Sequence, residues 1–281
     1  MIDKGMLGKV THVNAQWNRN PGWRMNPDER GKTSVWRLFR EYSGGPTAEL
    51  GSHQIDVADW MFGSSPEFVT GVGGNEFIND GRTVYDNIQL IFRYPKGQKM
   101  MYQSISTNKH LSIFGGTRTE FGETIMGTEG TIEITVGTDN EAALGLWFHE
   151  PGPPKAKPAG AAKEKAAVAS ATLTSTAAGR SGLPIMLSRD LISGKEAFLE
   201  REMKFARLWL YRKGVMVPQE DRNPVDTELD SFFDCTRTGK KPLADLEIGL
   251  ADSSMVMLSN LAMDEGRRVY FNEINKMGVG K

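Results

Sequence analysis

A chain of 281 residues with 39% apolar and 25% charged content has room for a sizeable core. Its formal net charge of −1 creates no field that would gather phosphates or an anionic bilayer, which sets nucleic acid and membrane aside as partners. One cysteine, Cys235, leaves no internal disulfide and no soft-ligand zinc cluster, so no metal is expected. No apolar run of about 18 residues and no signal-type apolar core at "MIDKGMLGKV" points to a cytoplasmic chain, any export signal lying upstream of Met1.

Taken in chain order, "GKVTHVNAQW" (8–17) alternates and is β-branched enough to predict a strand. It leads into a polar, tryptophan-bearing loop with a short helix around Trp36 to Tyr42. A helix over 46–62 follows. The runs "EFVTGVGGNEF", "TVYDNIQLIFRYP", "QKMMYQSISTN", "GETIMGT" and "GTIEITV" then predict strands punctuated by Gly, Asn-Asp-Gly and Pro-Lys-Gly turns, an antiparallel meander. Residues 151–180, beginning "PGPPKAKPAGAAKEK", carry too little apolar surface to order themselves and are expected to be a flexible linker or insertion. Helical periodicity returns in "NPVDTELDSFFDCTRTGK", with a start signal at Asp226 and a stop at Gly239, and in "PLADLEIGLADSSMVMLSNLAMDEGR". Sheet followed by covering helices predicts an α+β fold: a large, mainly antiparallel open sheet covered on one face by helices. One domain is expected, its first part in 1–150, the insertion at 151–180, and its closing helices and last strand in 181–281.

The stretch "GGPTAELGSHQIDVADWMFG" (44–63) carries the chemistry. Gly45 and Pro46 are good starting residues for its helix. At about 100° per residue, Glu49, His53, Asp56 and Trp60 share one sector while Leu50, Val57 and Met61 form an apolar neighbour face. A carboxylate four residues from an imidazole is within reach to orient it or raise its pKa, and such a histidine exchanges protons near neutral pH. By spacing alone the stripe fits a solvated face, an acid/base site or a metal site. Trp17, Trp23 and Trp36 crowd the same region, where an aromatic ring can stack on a pyranose or simply fill core. Arg19, Arg24, Arg37 and Arg40 fit either a carboxylated or phosphorylated sugar or solvated surface, and Lys109 and His110 follow a strand end.

The pattern Gly-Gly-x-x-x-Glu-x-Gly-x-His-x-x-Asp, followed by Trp60 and Gly63, resembles the substrate-domain helix of the Gfo/Idh/MocA oxidoreductases, the glucose-fructose oxidoreductase and inositol dehydrogenase group. "GKVTHVNAQWNRNPGW" is similar to that family's first strand of the C-terminal domain, "GETIMGTEGTIEI" to its Gly-x-x-Gly strand pair, and "ELDSFFDCTRTGKKPLADLEIGLADSSMVMLSNLA" to its closing helices. The resemblance implies His53 as the catalytic acid/base and Glu49 as its carboxylate partner, Glu standing where the family usually has Asp. It implies Asn18, Asn20 and Asp56, with Trp17 and Arg19 beside them, as substrate-binding residues for a sugar or polyol. Before Pro21, Asn18 and Asn20 also fit plain turn chemistry.

The same resemblance implies NAD or NADP as cofactor, yet no Gly-x-Gly-x-x-Gly follows a strand, and "GVGG" (71–74) lies inside the meander with no helix after it. The family's Glu-Lys-Pro segment is missing as well. The expectation is therefore the C-terminal, substrate-binding half of an oxidoreductase, its Rossmann domain on a separate chain or lost by truncation. Two alternatives remain open: a non-catalytic sugar-binding or assembly module, and a portion of an NAD-assisted glycosidase or lyase. A homo-oligomer through the open sheet face is also implied, since an apolar sheet surface needs cover.

Overall fold

The computed structural model describes residue 2 and residues 4–18, 30–108, 121–135, 144–150, 215–216 and 223–277. Among the described residues, nine strands make one sheet: β1 (Val10–Asn18), β2 (Phe68–Gly74), β3 (Asn87–Arg93), β4 (Lys99–Ile105), β5 (Phe121–Gly127), β6 (Gly130–Thr135), β7 (Leu144–His149), β8 (Val215–Met216) and β9 (Val269–Tyr270). They stand in the order β8-β7-β6-β5-β1-β4-β3-β2-β9. The expected strands all form, and the open α+β architecture is the one anticipated, but the single meander is corrected. β2-β3-β4 and β5-β6-β7 are two separate meanders, and β1 lies between them, parallel to β4 and antiparallel to β5. Turn signals specify hairpins between chain neighbours; they carry nothing about which distant strand fills a gap.

Side chains alternate across this sheet. Ile88, Leu90 and Phe92 of β3, with Met100 and Tyr102 of β4 and Val13 and Ala15 of β1, are almost wholly buried on the inner face. Val72, Ile91 and Met101 lie on the other face, Met101 being 55% exposed. Two helices pack on the inner face: α1 (Ser52–Phe62), and α3 (Leu246–Glu265), which buries Met255, Leu258, Ala262 and Met263. Between them in sequence, α2 (Pro224–Thr238) starts at an Asn223 cap and ends at Gly239 in the left-handed conformation. Its described side chains stay largely exposed, Phe232 at 61%, so of the two closing helices only α3 covers the sheet among the described residues.

The helix over 46–62 is not uniform. Thr47–Gly51 form a π turn that runs directly into α1. A π turn bonds residues five apart rather than four, so the register slips, and Leu50 in the turn and Ile55 in α1 are both buried. That slip corrects the apolar face: Ile55, Ala58 and Phe62 are buried while Val57 and Met61 are only partly so. Gly51 lets helix and sheet approach closely at this end: a Cβ there would stand 3.0 Å from the Tyr102 ring, which would have to give by a few tenths of an ångström. The expected insertion at 151–180 lies outside the described residues.

Candidate functional site

The site collects at the C-terminal end of β1, where β4 also ends and β5 begins. Strand pleating places Trp17 on the helix side, in register with Phe121, and the two rings stack at 4.5 Å with 16° between planes. The Trp17 ring faces His53 at 5.6 Å and 34°. His53 is exposed on α1. An imidazole against an aromatic wall, open on its other side, can exchange a proton with a bound hydroxyl.

The neighbours of His53 are only partly those expected. Glu49 turns its carboxylate to the preceding wall: Arg37 Nε donates to Oε2 at 2.8 Å and Ser43 Oγ to Oε1 at 3.0 Å. The structure thus brings Glu49 near His53 along the helix, while its hydrogen bonds among the described residues go elsewhere. Arg37 and Trp36 sit on the 3-10 segment Gly31–Leu38, the guanidinium stacked 4.5 Å over the Trp36 ring. Asn18 is one residue out of phase with Trp17 and fully buried, its Oδ1 accepting from the Ile105 N–H at 3.1 Å. Arg19 and Asn20 lie outside the described residues, as do Trp23, Arg24, Lys109 and His110.

Asp56 faces α3. Burial first, and then the neighbouring Asp56 carboxylate, push Asp252 up to about 6. One turn on, Asp59 accepts from Tyr94 Oη at 2.6 Å, and burial pushes it up to about 7, the Tyr94 hydrogen bond opposing and Asp252 and Asp56 adding to the rise. No group of three metal-ligating side chains assembles among the described residues. The protonated Asp59 belongs to the folded state, so the sign is definite. The folded carboxyl holds its proton above the pH at which the unfolded one, near 3.8, releases it. Stability is therefore expected to fall as pH rises from about 4 to about 7 and to level beyond. Thermal midpoints across that range check it, and Asp59→Asn should flatten the slope; an unchanged slope would show that Asp59 does not couple to folding.

The sequence reading missed a polar pair beneath the site. Gln54, next to His53 and 2% exposed, donates through Nε2 to Glu123 Oε1 at 3.0 Å. Burial raises the Glu123 pKa, opposed by the Gln54 bond. A signal was available: in "FGETIMG", Glu123 alternates in phase with Phe121 and Ile125, so an ionisable group was due on the inner face.

Comparison with known proteins follows the same outline. The profile described as "Oxidoreductase family, C-terminal alpha/beta domain", of the Gfo/Idh/MocA group, matches residues 1–151. A 2,7-anhydro-N-acetylneuraminate hydratase from Mediterraneibacter gnavus is 28% identical over 137 residues, 48% of this chain and 32% of the relative. Among solved structures, the aldose-aldose oxidoreductase of Caulobacter crescentus, complexed with glycerol, aligns with a TM-score of 0.60 at 18% identity, covering 96% of this chain and 58% of that one. A levoglucosan dehydrogenase in complex with NADH and levoglucosan aligns with a TM-score of 0.57 at 14% identity, covering 96% and 60%. At such identities the structural likeness speaks to fold alone. The chain spans about a third of that curated relative's length and about three fifths of these two structural neighbours'.

Proposed function

The chain belongs to the Gfo/Idh/MocA oxidoreductase family through its C-terminal α/β domain, and on that premise we propose that it is the substrate-binding and assembly portion of an NAD(P)-dependent oxidoreductase acting on a sugar or polyol hydroxyl. The observation that carries this reading is the exposed His53 imidazole facing Trp17, itself braced by Phe121. His53 takes the hydroxyl proton as the carbon is oxidised and returns it in the reverse direction. The Trp17 ring lies beside it as an apolar platform for a sugar face. Asp56 offers a hydrogen-bond acceptor on the same helix. Names of similar proteins support a carbohydrate ligand: glycerol and levoglucosan accompany two structural neighbours, and an anhydro-neuraminate names the curated relative.

The glycine cluster of β2 does not fit a dinucleotide. Gly71 to Gly74 form part of β2, paired along β3. A Cβ on Gly73 would strike Met263 and Tyr85, and one on Gly71 the Leu90 side chain, so these glycines serve close packing and not a pyrophosphate cradle. Residues outside the described set, or a nucleotide domain elsewhere in a longer chain or on a partner, would hold NAD(P). What the described chain supplies is binding, orientation and the proton. The Val72, Ile91 and Met101 face suits homo-oligomer contact, being apolar and exposed.

The hydratase name gives one specific ground for a second reading, in which the same imidazole serves addition or loss of water at a sugar carbon. The two readings part on whether the dinucleotide changes net redox state during turnover. A first test needs only the 281-residue chain. Sugars and polyols should shift the His53 imidazole resonance in NMR and quench tryptophan fluorescence, with the quenching lost in Trp17→Phe, while NAD and NADP titrated calorimetrically give no heat. A panel that shifts neither signal would remove the sugar site, and dinucleotide binding would locate a cofactor site in this chain.

A further inference from the structure

We propose that Arg37 is the anion anchor of the Trp17/His53 site and that the sugar it takes is a carboxylated one. This rests on the sugar-site reading above and goes beyond it by naming the substrate class. A guanidinium has five N–H donors in a rigid plane. In Arg37 only Nε is committed, to Glu49 at 2.8 Å, while the flat face rests on Trp36 at 4.5 Å. The two Nη groups make no hydrogen bond among the described residues, and the side chain is 52% exposed.

Among the described residues, Arg40, Lys32 and Arg82 of this region each already lie against a carboxylate. Arg40 pairs with Asp264 and lies 5.2 Å over Tyr85, whose hydroxyl donates to the same aspartate. Lys32 lies against Glu41 and the Phe39 ring. Arg82 forms a bidentate pair with Asp80 and is buried. Arg37 is thus fixed on one edge and one face, with a forked edge left over, the geometry that receives a carboxylate through two parallel hydrogen bonds.

The mounting is rigid. Glu49 is only 17% exposed and is gripped a second time by Ser43, whose Oγ also accepts from the Gly45 N–H at 3.0 Å. The carbonyl of Leu38, next in chain to Arg37, accepts from Thr83 and Val84 N–H groups. Little side-chain entropy is then left to lose on binding. Glu49, in the π turn that runs directly into α1, precedes His53 by four residues, so the anchor is mounted on the same continuous helix as the imidazole. A carboxylate on the Nη edge would leave the rest of the ring between Trp17 and His53. Glu49 in this arrangement positions the anchor.

Titration of the 281-residue chain with glucuronate and N-acetylneuraminate, each against its uncharged methyl ester, tests the assignment. At low salt at least one acid should bind about tenfold or more tighter than its ester, an advantage that shrinks as salt is raised. Arg37→Met should abolish that advantage and leave ester affinity within about twofold, with Arg37→Lys keeping a part of it, since a point charge lacks the fork. Thermal melting confirms that each variant is folded. Equal affinity of acid and ester in the parent chain, or an acid preference that survives Arg37→Met, overturns the anchor. If esters and neutral sugars shift the His53 resonance without any acid preference, the sugar site stands and only the anchor falls. If no acid, ester or neutral sugar shifts it, the sugar site falls and the anchor with it.

Discussion

Replacing His53 by alanine is expected to lower turnover of the assembled oxidoreductase by about a hundredfold or more, the scale of one general acid/base. The imidazole is the exposed titratable group on the Trp17 wall, and among the described residues no hydrogen bond ties it to a structural partner. Its removal therefore opens no buried hole, and folding should be untouched. Sugar affinity should change by only a few-fold, because Trp17 and Phe121 keep their stacking. The fall should then appear in kcat rather than in KM, the signature of an interaction used in the transition state. His53→Gln should be equally slow, since an amide holds the shape but neither takes up nor gives up a proton as an acid or base at neutral pH. A near-parental kcat for either variant would take His53 out of the mechanism. Solvent exposure alone would explain a silent mutation, so the measurement separates the two accounts of the polar stripe.

Loss of the Arg82 guanidinium has the largest expected effect on stability. Arg82 is 5% exposed, and in the loop between β2 and β3 its Nε and Nη2 reach Asp80 at 2.8 and 2.6 Å. That guanidinium holds the Asp80 carboxyl below the usual carboxylate range. The surrounding backbone depends on the same loop. Asn75 donates to the Arg82 carbonyl at 2.9 Å, and Asp86 accepts from the N–H groups of Phe77 and Ile78. Thr83 and Val84 then bond the Leu38 carbonyl, so the loop supports the segment that carries Trp36 and Arg37.

Arg82→Met removes one partner of a largely buried pair, leaves Asp80 uncompensated, and should cost about 3 kcal/mol in denaturant unfolding. In the parent chain the depressed Asp80 pKa contributes stability that is present above about pH 4, the unfolded value, and is lost as pH falls through the folded one. Arg82→Met should reduce that acid-side contribution, leaving the part that the backbone N–H of residue 82 supplies to Asp80. The double variant Arg82→Met with Asp80→Leu should recover much of the loss, since the cost lies in the unpaired charge. A single variant as stable as the parent would show the pair to be ornamental, and a double variant no better than the single would place the cost in packing.

Much of the fold was legible because it is written in local periods. "NIQLIFR" alternates, and Ile88, Leu90 and Phe92 are at or near zero exposure, with Ile91 outward. Gly239 ends its helix in the left-handed conformation, as its position after "CTRT" suggested. The helix over 46–62 was legible in kind but not in phase. Nothing in "TAELGSHQ" announces a π turn, which lies where Gly51 packs close to Tyr102, a residue of a distant strand. Glu49 was read toward His53 because i and i+4 are neighbours on an ideal helix; Arg37 and Ser43 claim its oxygens instead.

The sequence by itself determined strands β1 to β6, the two closing helices and which helix bears His53, because those depend on side-chain period and on Gly, Pro and Asn at their ends, while β7 and β8 went unread. Only the tertiary structure decided that β1 enters between β4 and β5, that Glu123 lies under Gln54, and that Arg37 pairs with Glu49 through Nε while Arg40 pairs with Asp264. Each of these is a choice among partners far apart in the chain. Burial and hydrogen-bond satisfaction make that choice for the whole sheet at once, and no local pattern encodes it.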